Sequence, residues 1–362
     1  MALPSNATQS IDDAETQPLT NKIESKASVV GADLECMIWV GVWMFFSSFV
    51  VIFNKWIFTS GGFPYPLALN ALHMYCCFFV FGSIRRFAPA HLRAMMMPDA
   101  DVVIPWPMYL KHMMLLAVLY STTLGSGNLA YLFSSVAFIQ MMKPMNAIYA
   151  SLAGFAIGVE VPTVSHVIIV GVVVLGVLIA TSSAADMSMA GVALQTFSSC
   201  AEGFRLALMQ LVTSRGLKLD PVTTIYHLSL VSAVALTIAT IAIEWPLKLG
   251  DLRSPWVLVI NCFIATLLNV LVANVIKKTS AVIFALSGVV KDLGIIGGSC
   301  VIFGTPLTLH QCQGYIVSTL GLAMYKAYKD NLEYFKENGF AEGMRFVVSS
   351  FVSGNKDRLS KR

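Results

Sequence analysis

The chain has 362 residues, of which 56% are hydrophobic and only 12% charged, and its mean hydropathy is +0.72. Soluble domains carry about 25% charged residues, so this chain lacks the polar groups to cover a water-soluble surface of its size. The formal charge of +4 is too small to indicate a nucleic-acid partner, and the composition predicts an all-α, polytopic membrane protein.

Residues 1–34 hold Asp12, Asp13, Glu15 and Glu24 and no apolar run. They predict a disordered cytosolic tail, unlike a signal peptide and too acidic for a transit peptide. A membrane-spanning helix needs about 20 apolar residues, and ten segments meet or approach that length: 36–57, 67–84, 110–130, 134–157, 165–182, 189–211, 223–243, 256–276, 280–302 and 309–328. Turn signals such as Gly61-Gly62-Phe63-Pro64-Tyr65-Pro66 and Gly304-Thr305-Pro306 separate them. The polar stretch 329–362 predicts a partly disordered cytosolic tail after a transporter-like domain at 35–328.

Charge placement supports ten spans. Most of the 24 basic residues, including Arg85, Arg86, Arg93, Lys111, Lys277, Lys278 and the C-terminal cluster, then share one face, whereas the other holds only Lys248 and Arg253. The positive-inside rule puts both termini in the cytosol. The seven cysteines show no metal-ligand spacing and no catalytic motif stands in a supporting context, so no enzyme, metal or cofactor is expected.

Sliding the chain on itself by 144–145 residues aligns Ser135 with Ser280, Gly154 with Gly298, Pro162 with Pro306 and His166 with His310. This predicts two inverted five-helix repeats, about 36–182 and 189–328, with a binding site at the midplane between them. Ala150, Gly154 and Gly158, and again Gly294 and Gly298, put small residues on one face of the fourth and ninth spans, as expected where backbones approach closely.

Four basic residues fall inside the spans: Lys55, Lys143, Arg205 and Lys291. A cation at mid-depth costs about 2.5–3.5 kcal/mol on insertion scales, so it faces a cavity or a counter-charge. Lys143 and Lys291 occupy nearly equivalent positions in the two repeats and read as a paired site for an anion. The alternative for each is an ion pair with Asp292 or Glu202 that only ties helices together, Asp292 being expected to reach another helix because adjacent helical side chains point about 100° apart. Arg205 can offer its planar fork to a phosphate or close an i,i+3 pair with Glu202. Lys55 is expected to snorkel to the interface. Asn54, Asn128, Tyr131, Gln140 and Tyr226 are candidate hydrogen-bonding contacts for a sugar or base, and Asp292 or Glu202 are the groups a proton carrier would use.

At these residues the chain resembles the triose-phosphate translocator and nucleotide-sugar transporter branch of the drug/metabolite transporter superfamily. The likeness is carried by Phe53-Asn54-Lys55-Trp56, Phe63-Pro64-Tyr65-Pro66-Leu67, Ser135 through Lys143, Arg205 through Gln210, and Ser287-Gly288-Val289-Val290-Lys291-Asp292. It is similar to the subgroup with Lys-Asp in the ninth span. Plastid members carry Lys-Arg there, which together with the acidic N-terminal tail disfavours a plastid envelope. The resemblance implies an antiporter in a Golgi or ER membrane, taking a nucleotide sugar or phosphorylated sugar against phosphate or a nucleoside monophosphate. It is compatible with a homodimer. The competing expectation is proton-coupled export of an uncharged or cationic metabolite.

Overall fold

The computed structural model describes residues 35–158, 161–182, 188–214, 219–248, 254–279, 281–304 and 307–352, and all regular structure among them is helical. In chain order the helices are α1 (Glu35–Thr59), α2 (Pro66–Phe87), α3 (Ala90–Met96), α4 (Trp106–Phe133), α5 (Val136–Met142), α6 (Met145–Ile157) and α7 (Val164–Ser182). They continue as α8 (Met189–Ser214), α9 (Pro221–Ile243), α10 (Pro255–Lys278), α11 (Ala281–Phe303), α12 (Leu309–Asp330) and α13 (Leu332–Val352). Six of them, α1, α2, α4, α7, α9 and α10, are long and apolar enough to cross a membrane. The N-terminal tail lies outside the described residues.

Local chemistry explains the boundaries. Pro66, Pro221 and Pro255 stand in the first turns of α2, α9 and α10, where a missing N–H costs nothing. Asp220 caps α9 through the amides of Val222 and Thr223, Ser135 caps α5, and Thr308 with Gln311 forms a capping box on α12. The start of α2 is capped from afar. The Glu244 carboxylate, just past α9, accepts from the amides of Leu67 at 2.8 Å and Ala68 at 2.9 Å. Within the spans, Ser and Thr hydroxyls donate to the carbonyl one turn back, as at Thr122, Ser126, Thr181 and Thr266, so these polar groups are tolerated without water.

Large apolar side chains also point outward: Met37, Ile38, Phe45 and Phe49 on α1, Val167, Leu175 and Leu178 on α7, and Trp256, Val259, Ile260 and Phe263 on α10 are exposed. Surfaces this apolar suit lipid, not water. Inside, α12 lies along α7, α8 runs between α4 and α6, and α9 packs on α2 and α4.

Two expectations need correction, and a third, for the C-terminal tail, is filled in by a helix. The fourth span is two helices, α5 and α6, broken at Lys143-Pro144. Pro144 has no N–H to give the Gln140 carbonyl, which instead accepts from the Lys143 amide at 3.2 Å. The expected C-terminal tail is helical from Leu332 to Val352, kinked at Gly339, with Phe335, Phe340, Met344 and Val347 seated against Ile169 and Tyr328. The close backbone approach foreseen for the ninth span is not seen among the described residues, since a Cβ on Gly294 of α11 would meet no atom within 4 Å and one on Gly298 only the Ile52 side chain, at 3.4 Å. Backbone contact occurs elsewhere. A Cβ on Gly176 would sit 2.3 Å from the Ser318 amide nitrogen, one on Gly314 2.2 Å from that of Ala180, and one on Gly203 2.6 Å from that of Ala150.

Gly314→Val should therefore disrupt the α7–α12 contact and abolish the monodisperse peak in size-exclusion chromatography of detergent-extracted protein. Gly294→Ala, in open space, should elute like the wild type and gain up to about 1 kcal/mol from helix propensity.

Candidate functional site

The break in the fourth span builds the site. Lys143 ends α5, and α6 begins two residues later, so a helix N-terminus with its partial positive charge opens beside the lysine. Discontinuous helices of this kind hold solutes in many transporters because their end groups face the binding volume. Here the volume is a cavity of about 370 Å³, walled by Lys143, Asn146 and Ala150 from the break and α6, by Gln210 from α8, and by Tyr325 and Lys329 from α12. The Lys143 ammonium makes no hydrogen bond or ion pair among the described residues, and the buried Asn146 Oδ1 has no hydrogen-bond partner. Among the described residues, no Asp or Glu lines the cavity.

The remaining cations are already matched. Arg205 donates to Glu202 through Nε at 2.7 Å and Nη2 at 2.6 Å, and its guanidinium lies 5.5 Å from the centre of the Tyr120 ring. The fork that a phosphate would use is thus held by a carboxylate on its own helix. Lys291 pairs with Asp292 at 3.0 Å and sits 5.8 Å from the centre of the Trp43 ring on α1. This corrects the expected pairing of Asp292 with another helix: the four-carbon stem of lysine spans the angular offset between neighbours. Asp292 Oδ1 makes no aligned hydrogen bond, so the contact is an ion pair only. Even so, Lys143 interacts electrostatically with Lys291, Asp292 and Glu202, which gathers the four groups into one electrostatic neighbourhood.

Lys55 does not snorkel. Its ammonium donates to the Tyr131 carbonyl and, at 3.2 Å, to that of Ser134, tying the end of α1 to the end of α4. Beside it lies a second cavity of about 270 Å³, lined by Lys55, Phe133, Ser134, Ser135 and Phe303. The polar candidates scatter. Gln140 donates to the Tyr131 hydroxyl at 3.1 Å, fully buried. Asn54 accepts from Asn261, which in turn meets His73, in a seam joining α1, α2 and α10. Asn128 donates to Asn70, and Tyr226 stacks on Phe78 beneath Arg85. None of these lines the Lys143 cavity. Asn146, Gln210, Tyr325 and Lys329 do, and the sequence reading missed them. The signals were the Lys143-Pro144 dipeptide and the i,i+4 spacing of Tyr325 and Lys329, which carries α12 past its apolar run.

Residues 34–326 match the Triose-phosphate Transporter family. The chain belongs to that family. Two probable sugar phosphate/phosphate translocators of Arabidopsis thaliana are each 32% identical to it over 292 residues, covering 78% of this chain and 83% and 84% of theirs. A third from the same plant is 30% identical over 302 residues, 81% of this chain and 77% of its own. As a Triose-phosphate Transporter family member the protein is a membrane transporter, and the match takes in Lys143, Glu202, Arg205, Lys291 and Asp292.

Glu202→Ala should leave the Arg205 charge without its partner. Breaking a buried pair costs at most about 3–5 kcal/mol, read as a lowered unfolding midpoint of the purified transporter. A double variant, Glu202→Leu with Arg205→Met, should recover much of it, and a double-mutant cycle gives the coupling.

Proposed function

We propose that the protein is an antiporter that exchanges phosphorylated sugars for phosphate by alternating access. One observation carries the reading: the Lys143 ammonium lines a cavity at a helix break and, among the described residues, no carboxylate pairs with it. An unmatched cation in an apolar interior is costly, and a phosphate dianion is the guest that relieves the cost. The names of the relatives, sugar phosphate/phosphate translocators, agree with that chemistry. Cavity size favours the smaller of the two expected substrates. Ligand pockets run from about 300 to 1,000 Å³, and about 370 Å³ suits a sugar phosphate better than a nucleotide sugar. Proton coupling is disfavoured because both Asp292 and Glu202 hold a cation on their own helix.

Helix pairing supports ten spans in two inverted halves. If α5 with α6 counts as one span, α12 on α7 and α9 on α2 are each pairs that a two-fold exchange maps onto themselves. The same exchange turns the contact of α8 with α4 into that of α10 with α1, where Val40 and Trp43 meet Leu271 and Val275. It also turns the contact of α8 with α6 into that of α1 with α11, where Ile52 lies under Gly298. Between the two cavities stands α5, whose seven residues are all buried, a barrier of about 10 Å at the usual rise per residue. The solute binds at Lys143 from the larger cavity, its charge screens the repulsion between Lys143 and Lys291, and the halves rock so that the barrier yields on the other side. Without a bound anion the bare ammonium resists the same passage, so empty return is slow and transport is obligatory exchange. The clustering of basic residues on one predicted face and the acidic N-terminal tail support a Golgi or ER membrane with both termini in the cytosol.

In proteoliposomes loaded with phosphate, the wild type should take up a labelled triose or hexose phosphate at a rate that falls at least tenfold when internal phosphate is omitted. Lys143→Gln should reduce exchange at least a hundredfold with an unchanged elution profile. Exchange near the wild-type rate in that variant would refute the proposal.

A further inference from the structure

We infer that Asn146 selects the carbon chain of the solute. Its side-chain amide pairs with a hydroxyl close to the phosphate, so the larger cavity takes hydroxylated organic phosphates and disfavours phosphate esters that carry no hydroxyl there. The inference rests on the antiport reading above and deepens it by naming what is read in the solute besides its charge.

Lys143 and Asn146 stand on either side of the turn at Pro144. The backbone amide of Asn146 donates to the Lys143 carbonyl at 2.9 Å, which sets the two residues one turn apart. Residues at that spacing are neighbours on a helix surface, and both wall the cavity of about 370 Å³. A solute whose phosphate meets Lys143 therefore lays its carbon chain beside Asn146. Among the described residues the Lys143 ammonium makes no hydrogen bond, and Asn146 Oδ1 is buried without a partner. A donor and an acceptor thus lie one turn apart without being joined.

The two unmet groups ask for different chemistry. An ammonium only donates and an esterified phosphate dianion only accepts, so the phosphate answers Lys143 and leaves Asn146 Oδ1 as it was. That oxygen needs a donor from the rest of the solute. A hydroxyl both donates and accepts, and the terminal torsion of Asn is soft, so either end of the amide can turn to meet it. The surrounding wall offers no substitute. Ala147, Ala150 and Ala207 carry no polar side-chain atom, and the Tyr325 hydroxyl is already joined to that of Ser151 at 2.8 Å. Gln210 is exposed, so water meets its amide, whereas the Asn146 oxygen is buried. A buried acceptor left unpaired is costly. A solute that brings a hydroxyl to it is therefore favoured over one that lays a methylene against the same wall.

The test follows uptake of labelled phosphate into phosphate-loaded proteoliposomes, with glycerol phosphate and propyl phosphate as competitors. The two esters share a chain length and differ in their hydroxyls. In the wild type, glycerol phosphate should halve uptake at a concentration at least tenfold below that needed of propyl phosphate. In Asn146→Leu, which keeps much of the volume and removes the amide, the gap should close to within about threefold because glycerol phosphate competes less well. Equal competition by the two esters in the wild type, or none by either, overturns the inference, and that comparison needs no variant. A gap that persists in Asn146→Leu overturns it as well. So does a variant that weakens both esters by the same factor, since that marks a structural role. None of these results touches the antiport reading. If the wild type exchanges no organic phosphate for phosphate, the antiport reading fails and this inference with it.

Discussion

A positive charge in an apolar interior must be matched or must face water, and that requirement organises this protein. Each basic residue within the helices meets it differently. Arg205 is satisfied by a two-point contact with Glu202 and by the Tyr120 ring, Lys291 by Asp292 and the Trp43 ring, and Lys55 by two backbone carbonyls at the end of α4. Lys143 lines a cavity without a hydrogen bond or ion pair of its own, and without a carboxylate in the wall, among the described residues. The first three arrangements hold the bundle together, and the fourth leaves electrostatic energy available to a guest. In the exchange mechanism proposed above, preference for an anion follows from that difference.

The scaffold explains why Lys143 can be kept in this condition. Its backbone is fixed by the break at Pro144, with Gln140 and Tyr131 locked behind it. On the far side α6 is pressed against α8 at Gly203, where no side chain fits. Glu202 lies one turn away on α8 from the residues that line the cavity, and its carboxylate is held by Arg205. A charge stays unmatched only where rigid neighbours prevent it from finding a partner.

Much of this was legible in the sequence, for physical reasons that can be named. Apolar runs set off by proline, glycine and capping residues marked the helices, because backbone groups in lipid have no alternative to helical pairing. Lys143 stood out because charge in such a run is costly. The i,i+3 spacing of Glu202 and Arg205 allowed the pair that forms, though it left a phosphate contact equally open. Other features depend on rotamers or tertiary placement. Asp292 was expected to reach across helices, yet the flexible stem of Lys291 curls to it. Glycines occur in α11 as they do in α7 and α12, but among the described residues of these helices only Gly176, Gly314 and Gly321 come up against another backbone. Lys329 was counted with the tail because hydropathy falls there, although the helix runs on to Asp330 and brings it to the cavity. Sequence periodicity says which residues share a face and is silent on what that face meets.

The interlock of α7 and α12 has a mechanical consequence. Gly176 against Ser318 and Gly314 against Ala180 leave no side-chain cushion between the two main chains. Helices meshed so tightly cannot slide without unseating each other, so they act as a single beam, with the C-terminal helix strapped across one end through Phe335 and Tyr328. Any swing of that beam would carry Tyr325 and Lys329 together, and the Ser151 hydroxyl is the latch that must let go first. The hydrogen bond between Tyr325 and Ser151 thereby couples any such swing to the position of α6.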